Sequence, residues 1–164
     1  MRETNACVIA ADGGRARLFV AVSDGGSQSG LSLVERECFV NSEYRARGAN
    51  APSRAKVERV TNRDAGDVHP IGARRDQHRL ELERRFAREI SQRAAALTQT
   101  WEGGSVVLVA EPRMLGLLRE PLRKALKQGI ELKELAKDYS QFTAVELRDR
   151  LALNRLIPGS RSGA

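Results

Sequence analysis

Residues 105–138 have the sequence SVVLVAEPRMLGLLREPLRKALKQGIELKELAKD, and this stretch decides the fold. It opens with the apolar residues 106–110, whose length and β-branched content predict a strand buried on both faces. Glu111 and Pro112 interrupt the run, and proline is well placed in the first turn of a helix. From Met114 the apolar residues follow a helical period, and we expect this helix to end near Gly129 as C-cap.

A second strand, predicted over residues 130–135, follows this helix directly. A strand, a helix and a strand joined by short connections predict two parallel neighbouring strands with a right-handed crossover. We expect Gly116 to allow this helix to pack closely on the sheet.

Three further strands are predicted before this unit, over residues 7–11, 15–22 and 31–40. Their short glycine-rich connections predict an antiparallel meander. Alternation in the second of them predicts one buried face and one partly wet face. The buried face would carry Ala16, Leu18, Val20 and Val22, and the wetter face Arg15, Arg17 and Phe19.

Two more helices are predicted. The first runs from about residue 76 to 100 with Asp76 as N-cap, a buried stripe, and the ion pairs Glu81–Arg85 and Glu89–Arg93. The stripe consists of Leu82, Phe86, Ile90, Ala94 and Leu97. In the second, Thr143 is the N-cap, Glu146 completes a capping box, and Leu147, Leu151 and Leu153 dock the helix.

The resulting order is β-β-β-(loop)-α-β-α-β-α, which predicts an α/β protein with a mixed sheet. An antiparallel meander continued by parallel strands, with helices on the sheet faces, is the ribonuclease H-like plan. We expect a single domain over residues 1–157, a long basic loop at 41–75 and a disordered tail at 158–164. Trp101 is either a core anchor or an exposed edge residue.

The chain has 28 Lys and Arg residues against 21 Asp and Glu residues, a formal net charge of +7. This balance favours an anionic partner such as nucleic acid, although it also suits a protein that is merely soluble. Cys7 and Cys38 lie in apolar strand-like runs and are expected to be buried thiols. With no signal peptide and no membrane-spanning run, these features predict a reduced, cytoplasmic protein.

Three acids follow predicted strands: Asp12, Glu111 and Asp138. In this topology they could converge and bind Mg²⁺, as a two-metal nuclease requires. Each also has a structural alternative, which we weight more heavily. Asp12 suits a turn, Glu111 suits a helix start, and Asp138 can pair with Arg113 or Arg119.

Arg113 lies at a helix start, where free N–H groups favour anions, so it could meet a phosphate. The alternative is a salt bridge with Asp12, Glu111 or Asp138. His69 and His78 are too far apart for a zinc site, and there is no Walker-type loop. We therefore expect no metal and no cofactor.

The loop at 41–75 is the stronger candidate for a binding site, because its basic side chains could lie along an RNA backbone. A solvated loop is an equal alternative. With two arginines of the following helix, the candidate nucleic-acid-binding residues are Arg45, Arg47, Arg54, Lys56, Arg59, Arg63, Arg84 and Arg88.

Several motifs resemble those of the bacterial host attachment protein family, described as required for attachment to host cells. They are residues 11–19 (ADGGRARLF), the helical residues 78–87, and residues 108–119 (LVAEPRMLGLLR) with two shorter pieces at 137–138 and 146–148. Together they span nearly the whole chain outside residues 40–75. The matching family positions are Asp12, Gly13, Arg15, Arg17, Pro112, Arg113, Leu115, Gly116, Arg119, Lys137 and Asp138.

That family is similar to the middle domain of archaeal and eukaryotic peptide-chain release factors. The resemblance implies the ribonuclease H-like fold and a possible role at the ribosome. No Gly-Gly-Gln tripeptide is present, so we expect no autonomous termination activity.

Three hypotheses follow. The first is a non-enzymatic module associated with RNA or the ribosome. The second is a protein-interaction factor in attachment to host cells. The third is a Mg²⁺-dependent nuclease.

Overall fold

The computed structural model describes residues 2–23, 25, 30–44 and 71–158. The described strands and helices follow the predicted order. They are β1 (Arg2–Ala11), β2 (Arg15–Ser23), β3 (Leu31–Val40), α1 (Ile71–Thr98), β4 (Gly104–Ala110), α2 (Pro112–Ala125), β5 (Ile130–Ala136) and α3 (Ala144–Leu153).

The five strands form one mixed sheet in the order β3-β2-β1-β4-β5. β1, β2 and β3 pair antiparallel, whereas β1–β4 and β4–β5 are parallel. Ala11, Ala110 and Ala136 are register partners at the carboxyl ends of the three parallel strands. The α/β class, the meander and the parallel strand–helix–strand unit are therefore confirmed, and the residues that follow the three strands leave from one edge.

Apolar cores cover both faces of the sheet. On one face, Ile9 and Leu108 pack with Ile90 of α1 and Leu118 of α2. On the other face, β-strand residues pack with α3 through side chains that include Val8, Val107, Leu147 and Leu151. Trp101 joins the first core with 8% of its surface exposed, so it is a core anchor.

The expectation that β2 has one wet face was wrong. Every residue from Ala16 to Val22 is buried, including Arg17 and Phe19. The second face is covered because the Arg17 guanidinium bonds to Glu35 and to the carbonyl oxygens of Ser140 and Phe142, which precede α3. A partnered arginine can therefore lie inside this core.

Helix α1 begins at Ile71 rather than Asp76, so Asp76 lies inside the helix and is not its N-cap. The residues between them are mostly good helix formers, which explains the earlier start. The buried stripe is confirmed except that Leu97 is only partly buried. Both predicted ion pairs form, at 3.6 Å for Arg85–Glu81 and 3.1 Å for Arg93–Glu89.

Helix α2 ends at Ala125, earlier than expected, with Leu126 as C-cap. Gly129 is not that cap; it has φ 95° and precedes β5, where a Cβ would lie 3.2 Å from the carbonyl oxygen of Glu102. The expectation for Gly116 was also wrong, because Gly116 is exposed and a Cβ there would meet nothing within 4 Å.

The capping box of α3 is confirmed: the Glu146 N–H donates to the Thr143 side chain and the Glu146 carboxylate accepts from the Thr143 N–H. Leu147 and Leu151 are buried as expected. Leu153 is 77% exposed and does not dock, because it lies at the last residue of the helix, beyond the sheet contact.

The two cysteines differ. Cys7 is fully buried in β1, and burial raises the pKa of its thiol to about 12. Cys38 is exposed, against expectation, because the end of β3 lies at the edge of the sheet with its side chain in solvent.

Candidate functional site

A cavity of about 370 Å³ opens at the carboxyl edge of the sheet, beside the ends of β1 and β4. From β1 the chain continues to β2 on one side, and from β4 it continues to β5 on the other. In open α/β sheets such a reversal of strand order is where ligands bind. We call this space the switch-point cavity; it is lined by Asp12, Gly13, Gly14, Arg15, Tyr44, Arg79, Glu111 and Gln141.

Asp12 organises the turn between β1 and β2. Its Oδ1 accepts hydrogen bonds from the backbone N–H groups of Gly14 (2.8 Å) and Arg15 (2.7 Å). The turn alternative for Asp12 is thus confirmed. A Cβ at Gly13 would lie 3.2 Å from the buried Glu83 Oε1, a tight contact that the Glu83 side chain would have to relieve by a small shift.

Glu83 of α1 is a buried carboxylate with two arginine partners. The Arg79 Nε donates to its Oε1 at 3.2 Å, and the Arg113 Nε donates to its Oε2 at 2.9 Å. Its side chain is 3% exposed, against 50% for Arg79 and 48% for Arg113. The carboxylate is therefore anchored inside, while both guanidinium groups reach toward solvent.

The expected partners of Arg113 were wrong. Arg113 pairs with Glu83, not with Asp12, Glu111 or Asp138. The sequence analysis did not single out Glu83. Its only signal was its place directly after Leu82 of the buried stripe and four residues after Arg79.

Tyr44 packs against the glycine turn and connects it to α1. A Cβ on Gly14 would lie 3.2 Å from the Tyr44 ring. The Arg79 Nη2 donates to the Tyr44 hydroxyl at 2.9 Å, and the guanidinium carbon lies 5.4 Å from the ring centre. Burial alone would lower the pKa of Arg79, but Tyr44 and the Glu83 carboxylate together raise it.

The three acids do not converge on one point. Glu111 lines the switch-point cavity with Asp12, at the start of α2, and makes no side-chain capping bond. Asp138 is not part of the lining; its Oδ1 accepts from the N–H (3.2 Å) and the Oγ (2.7 Å) of Ser140. Among residues 2–23, 25, 30–44 and 71–158, no three His, Cys, Asp or Glu side chains are grouped so as to hold a metal ion.

Arg119 also differs from expectation, because it pairs with Glu134 of β5 at 2.7 Å and not with Asp138. The side-chain hydrogen bond from Arg119 holds the pKa of Glu134 below its usual value. This pair joins α2 to the edge strand, so Arg119 has a structural role away from the cavity.

Arginines cover the exposed face of α1. Arg84 and Arg88, two of the predicted binding residues, are exposed there with Arg74 and Arg85, and we call these four residues the basic face. Glu81 lies among them, 3.6 Å from Arg85 and 3.7 Å from Arg88. Exposed ion pairs of this length are weak, so the arginines can exchange Glu81 for another anion.

A shallow cavity of about 340 Å³ is open on this face, and it is lined by Arg74, Gln77, His78, Glu81 and Arg84. The other predicted binding residues, together with His69 and the 158–164 tail apart from Pro158, lie outside the described residues. Those binding residues are Arg45, Arg47, Arg54, Lys56, Arg59 and Arg63. Their role stays a prediction.

A family model described as "Protein required for attachment to host cells" matches residues 7–151. No curated protein matches the chain. Among solved structures, the chain is similar to RuvC from Thermus thermophilus, with 10% sequence identity over 96% of this chain and 84% of that chain and a TM-score of 0.31. A likeness at that level adds nothing to the fold described above.

No helix in the described ranges combines the length and apolar character needed to cross a membrane.

Proposed function

Since this chain belongs to the family of proteins required for attachment to host cells, as the match over residues 7–151 shows, we propose that it acts in attachment as a non-enzymatic binding module. The basic face of α1 is the observation that carries this proposal. It presents four exposed arginines, with Glu81 lying between them. An acidic surface on a protein partner is its electrostatic complement.

The test is an attachment assay in a strain whose own gene is deleted and replaced by a variant. We expect Arg84→Gln with Arg88→Gln to reduce attachment toward the level of the deletion. Arg123→Gln is the matched control, because the Arg123 side chain is 57% exposed and that of Arg88 is 58% exposed. Attachment at the wild-type level with the double variant, while the deletion strain fails to attach, would show that the basic face is not the contact.

RNA, on the ribosome or free, is the second candidate partner. It is supported by the residue type of the basic face, because arginine makes bidentate contacts with phosphate that lysine does not. Contacts of this kind predict binding that weakens steeply with salt.

Two measurements test the RNA candidate. Co-sedimentation with ribosomes should be present at low salt and lost at moderate salt. For a labelled single strand, the slope of log K against log salt should become shallower by about 1.4 when Arg84 and Arg88 are both replaced by glutamine, because each lost phosphate contact contributes about 0.7. Absence of binding at low salt would remove RNA and leave the protein partner.

The nuclease alternative draws no support from the described geometry. The Asp12 Oδ1 is bonded to its own turn, and Asp138 is bonded to Ser140. A nuclease would show Mg²⁺-dependent cleavage that Asp12→Asn abolishes, and cleavage that survives this change would have another source.

We also infer that residues 1–157 form one ribonuclease H-like domain similar to the middle domain of release factors. The support is the observed topology, a meander extended by two parallel strands with helices on both sheet faces. An experimental structure of the full chain, compared with those domains, would test the similarity.

A cytoplasmic location is proposed on the state of the cysteines. Both are free thiols in the structure, and Cys38 is exposed. Exposed thiols persist where the compartment is reducing. Fractionation of the protein at its native level is the test, and recovery in the envelope or the medium would contradict the proposal.

A further inference from the structure

We propose that the outer edge of β5 is a docking surface for a second copy of this chain, and that the two β5 strands pair antiparallel about a two-fold axis at Leu132. β5 lies at one end of the sheet, and its one strand neighbour among the described residues is β4. The N–H and C=O groups on the outer side of an edge strand are available for pairing with a further strand. This surface is separate from the basic face and goes beyond the function proposed above.

The side chains of β5 are less covered than those of the strand beside it. No residue of β5 is buried, whereas residues 106–110 of β4 are all buried. Ile130 and Leu132 are only partly buried against the core on one face, and Leu135 is partly buried on the other face. A further strand at this edge would remove more of that apolar surface from water, which favours association.

The sequence of β5 limits the register in which two copies can pair. When a two-fold axis relates two antiparallel strands, the residue at the axis lies opposite its own copy. Three such registers keep five or more residue pairs within β5, and they are centred on Leu132, Lys133 and Glu134. The last two place lysine opposite lysine or glutamate opposite glutamate, and like charges directly opposite destabilise a strand pair. The register centred on Leu132 therefore remains.

Charges match in the register centred on Leu132. It places Glu131 of each chain opposite the partner's Lys133, so symmetry produces two cross-strand pairs of opposite charge. Glu131 and Lys133 lie on the same face of β5, and their side chains are 68% and 32% exposed, so both can contact a second chain. Charged residues usually keep an edge strand from pairing with other strands. Here the same charges are complementary to a second copy of the strand.

A groove lies on the other face of β5, beside the end of α2. Its volume is about 470 Å³, and its lining includes Leu126, Ile130 and Leu132. In the register centred on Leu132, the two Leu132 side chains lie opposite each other on this face. Pairing would therefore place the partner's Leu132 at the groove and reduce the exposed apolar surface of both chains.

The symmetry of this pairing also determines how the two copies face. A two-fold axis perpendicular to the sheet joins the two sheets into one and keeps each sheet face on its own side. Because α1 packs on one face of the sheet, both copies of α1 would lie on the same side of the dimer. Two linked binding surfaces hold one large partner more tightly than either surface does alone.

The test is analytical ultracentrifugation of the full chain over a range of protein concentrations. A single pair of edge strands is a small interface, so we expect a reversible dimer with a dissociation constant in the micromolar range. Glu131→Lys and Lys133→Glu each place like charges opposite one another at both cross-strand positions, so either change alone should raise the dissociation constant at least about tenfold. An equal mixture of these two variants should form a heterodimer, because each cross-strand position then joins opposite charges. One chain that carries both changes should dimerise as the wild type does.

Arg85→Glu is the matched control. It also reverses one charge and breaks an exposed ion pair, and its distance of 3.6 Å to Glu81 equals that between Lys133 and Glu131. It should leave the dissociation constant unchanged. Circular dichroism checks that each variant is folded, and Lys133→Gln is a milder variant should a charge reversal unfold the chain. Its dissociation constant should rise about fivefold, because both cross-strand pairs are lost.

Three outcomes would overturn the proposal. One is a wild-type chain that stays monomeric at every concentration measured. Another is a wild-type dimer that the folded variants at Glu131 and Lys133 leave intact, which would place the interface elsewhere on the chain. The last is a mixture of the two charge-reversal variants that is no more dimeric than each variant alone, which would show that these residues do not lie opposite each other.

Discussion

The thiols of Cys7 and Cys38 differ in burial, so their reactivity tests the position of each residue in the sheet. Cys7 is fully buried in the central strand and its thiol pKa is raised to about 12, whereas Cys38 on the edge strand is exposed. Because the thiolate is the reactive form, only Cys38 should react with a thiol reagent near neutral pH. We expect one labelled thiol in the native protein and two in denaturant, by mass spectrometry. Rapid labelling of both native thiols would contradict the position of Cys7.

Two glycines provide a matched pair for substitution. Gly104 has φ 151°, and a Cβ there would lie 2.2 Å from the backbone oxygen of Asn5. Gly116 lies in the middle of α2 with open space around it. Gly104→Ala should therefore lower the free energy of unfolding, and Gly116→Ala should raise it by about 0.5–1 kcal/mol, the usual difference between the two residues in a helix.

Urea denaturation of both proteins measures this difference. A gain in stability for Gly104→Ala would mean that β1 and the start of β4 do not approach as closely as described. A loss for Gly116→Ala would mean that the exposed face of α2 is covered.

The pairing of charged residues was the least predictable property at this scale. Arg113 and Arg119 of α2 pair with carboxylates on other elements, Glu83 and Glu134, and not with the strand-end acids. Local spacing identifies pairs within one helix, such as Glu81 with Arg85. Pairs between elements depend on how the helices cross, which no short motif encodes.

At the scale of single elements, the capping box of α3 makes a pH-dependent contribution. Backbone and side-chain hydrogen bonds from Thr143 hold the pKa of Glu146 below its ordinary value. A carboxyl group whose pKa is lowered by folding stabilises the protein above its unfolded pKa. That contribution is lost as the pH falls through the lower, folded pKa.

We therefore expect the titration of Glu146, followed by nuclear magnetic resonance of its carboxyl carbon, to have its midpoint below that of a model peptide. Thr143→Ala should move the midpoint up, and Thr100→Ala, at an exposed residue after α1 on the other side of the sheet, should not. A midpoint in the native protein equal to that of the peptide would show that the box does not form in solution.

The elements themselves were largely predictable. The strands and α3 were predicted correctly because the apolar residues of an element with one face in the core recur with a period of two in a strand and with a helical period in a helix. Helix ends were less predictable: α1 begins before its presumed cap, and α2 ends before its presumed C-cap glycine. Gly129 has a left-handed conformation just before β5 and is not a helix C-cap, because glycine adopts this conformation in turns as well as in caps.

For the molecule as a whole, the Arg79–Glu83–Arg113 cluster ties α1 to α2. Replacing both arginines with methionine should lower the free energy of unfolding by about 3 kcal/mol or more at neutral pH, because a buried carboxylate would be left without a partner. Adding Glu83→Gln to that protein should recover part of the loss, since the buried charge is removed.

Urea denaturation of the double and triple variants is the measurement. A triple variant that is less stable than the double variant would contradict the idea that an unpaired buried charge is the cause.

The candidate cavity could be predicted only in part. Asp12 and Glu111 were identified from the sequence as residues that follow strands. Tyr44, Arg79 and Glu83 were not, because they come from other parts of the chain and reach this edge of the sheet only in the folded protein.

The parallel pairing of β1 with β4 also sets an order of events during synthesis. Cys7 pairs with Val106, so the two central strands come from distant parts of the chain. The β1–β2–β3 meander, which contains only local pairings, can form as soon as it leaves the ribosome. The β1 edge of the meander then remains unpaired until the chain has been synthesised to residue 110, the end of β4. During that interval the chain carries an apolar strand edge without a partner, and that edge is the point at which a chaperone would be needed most.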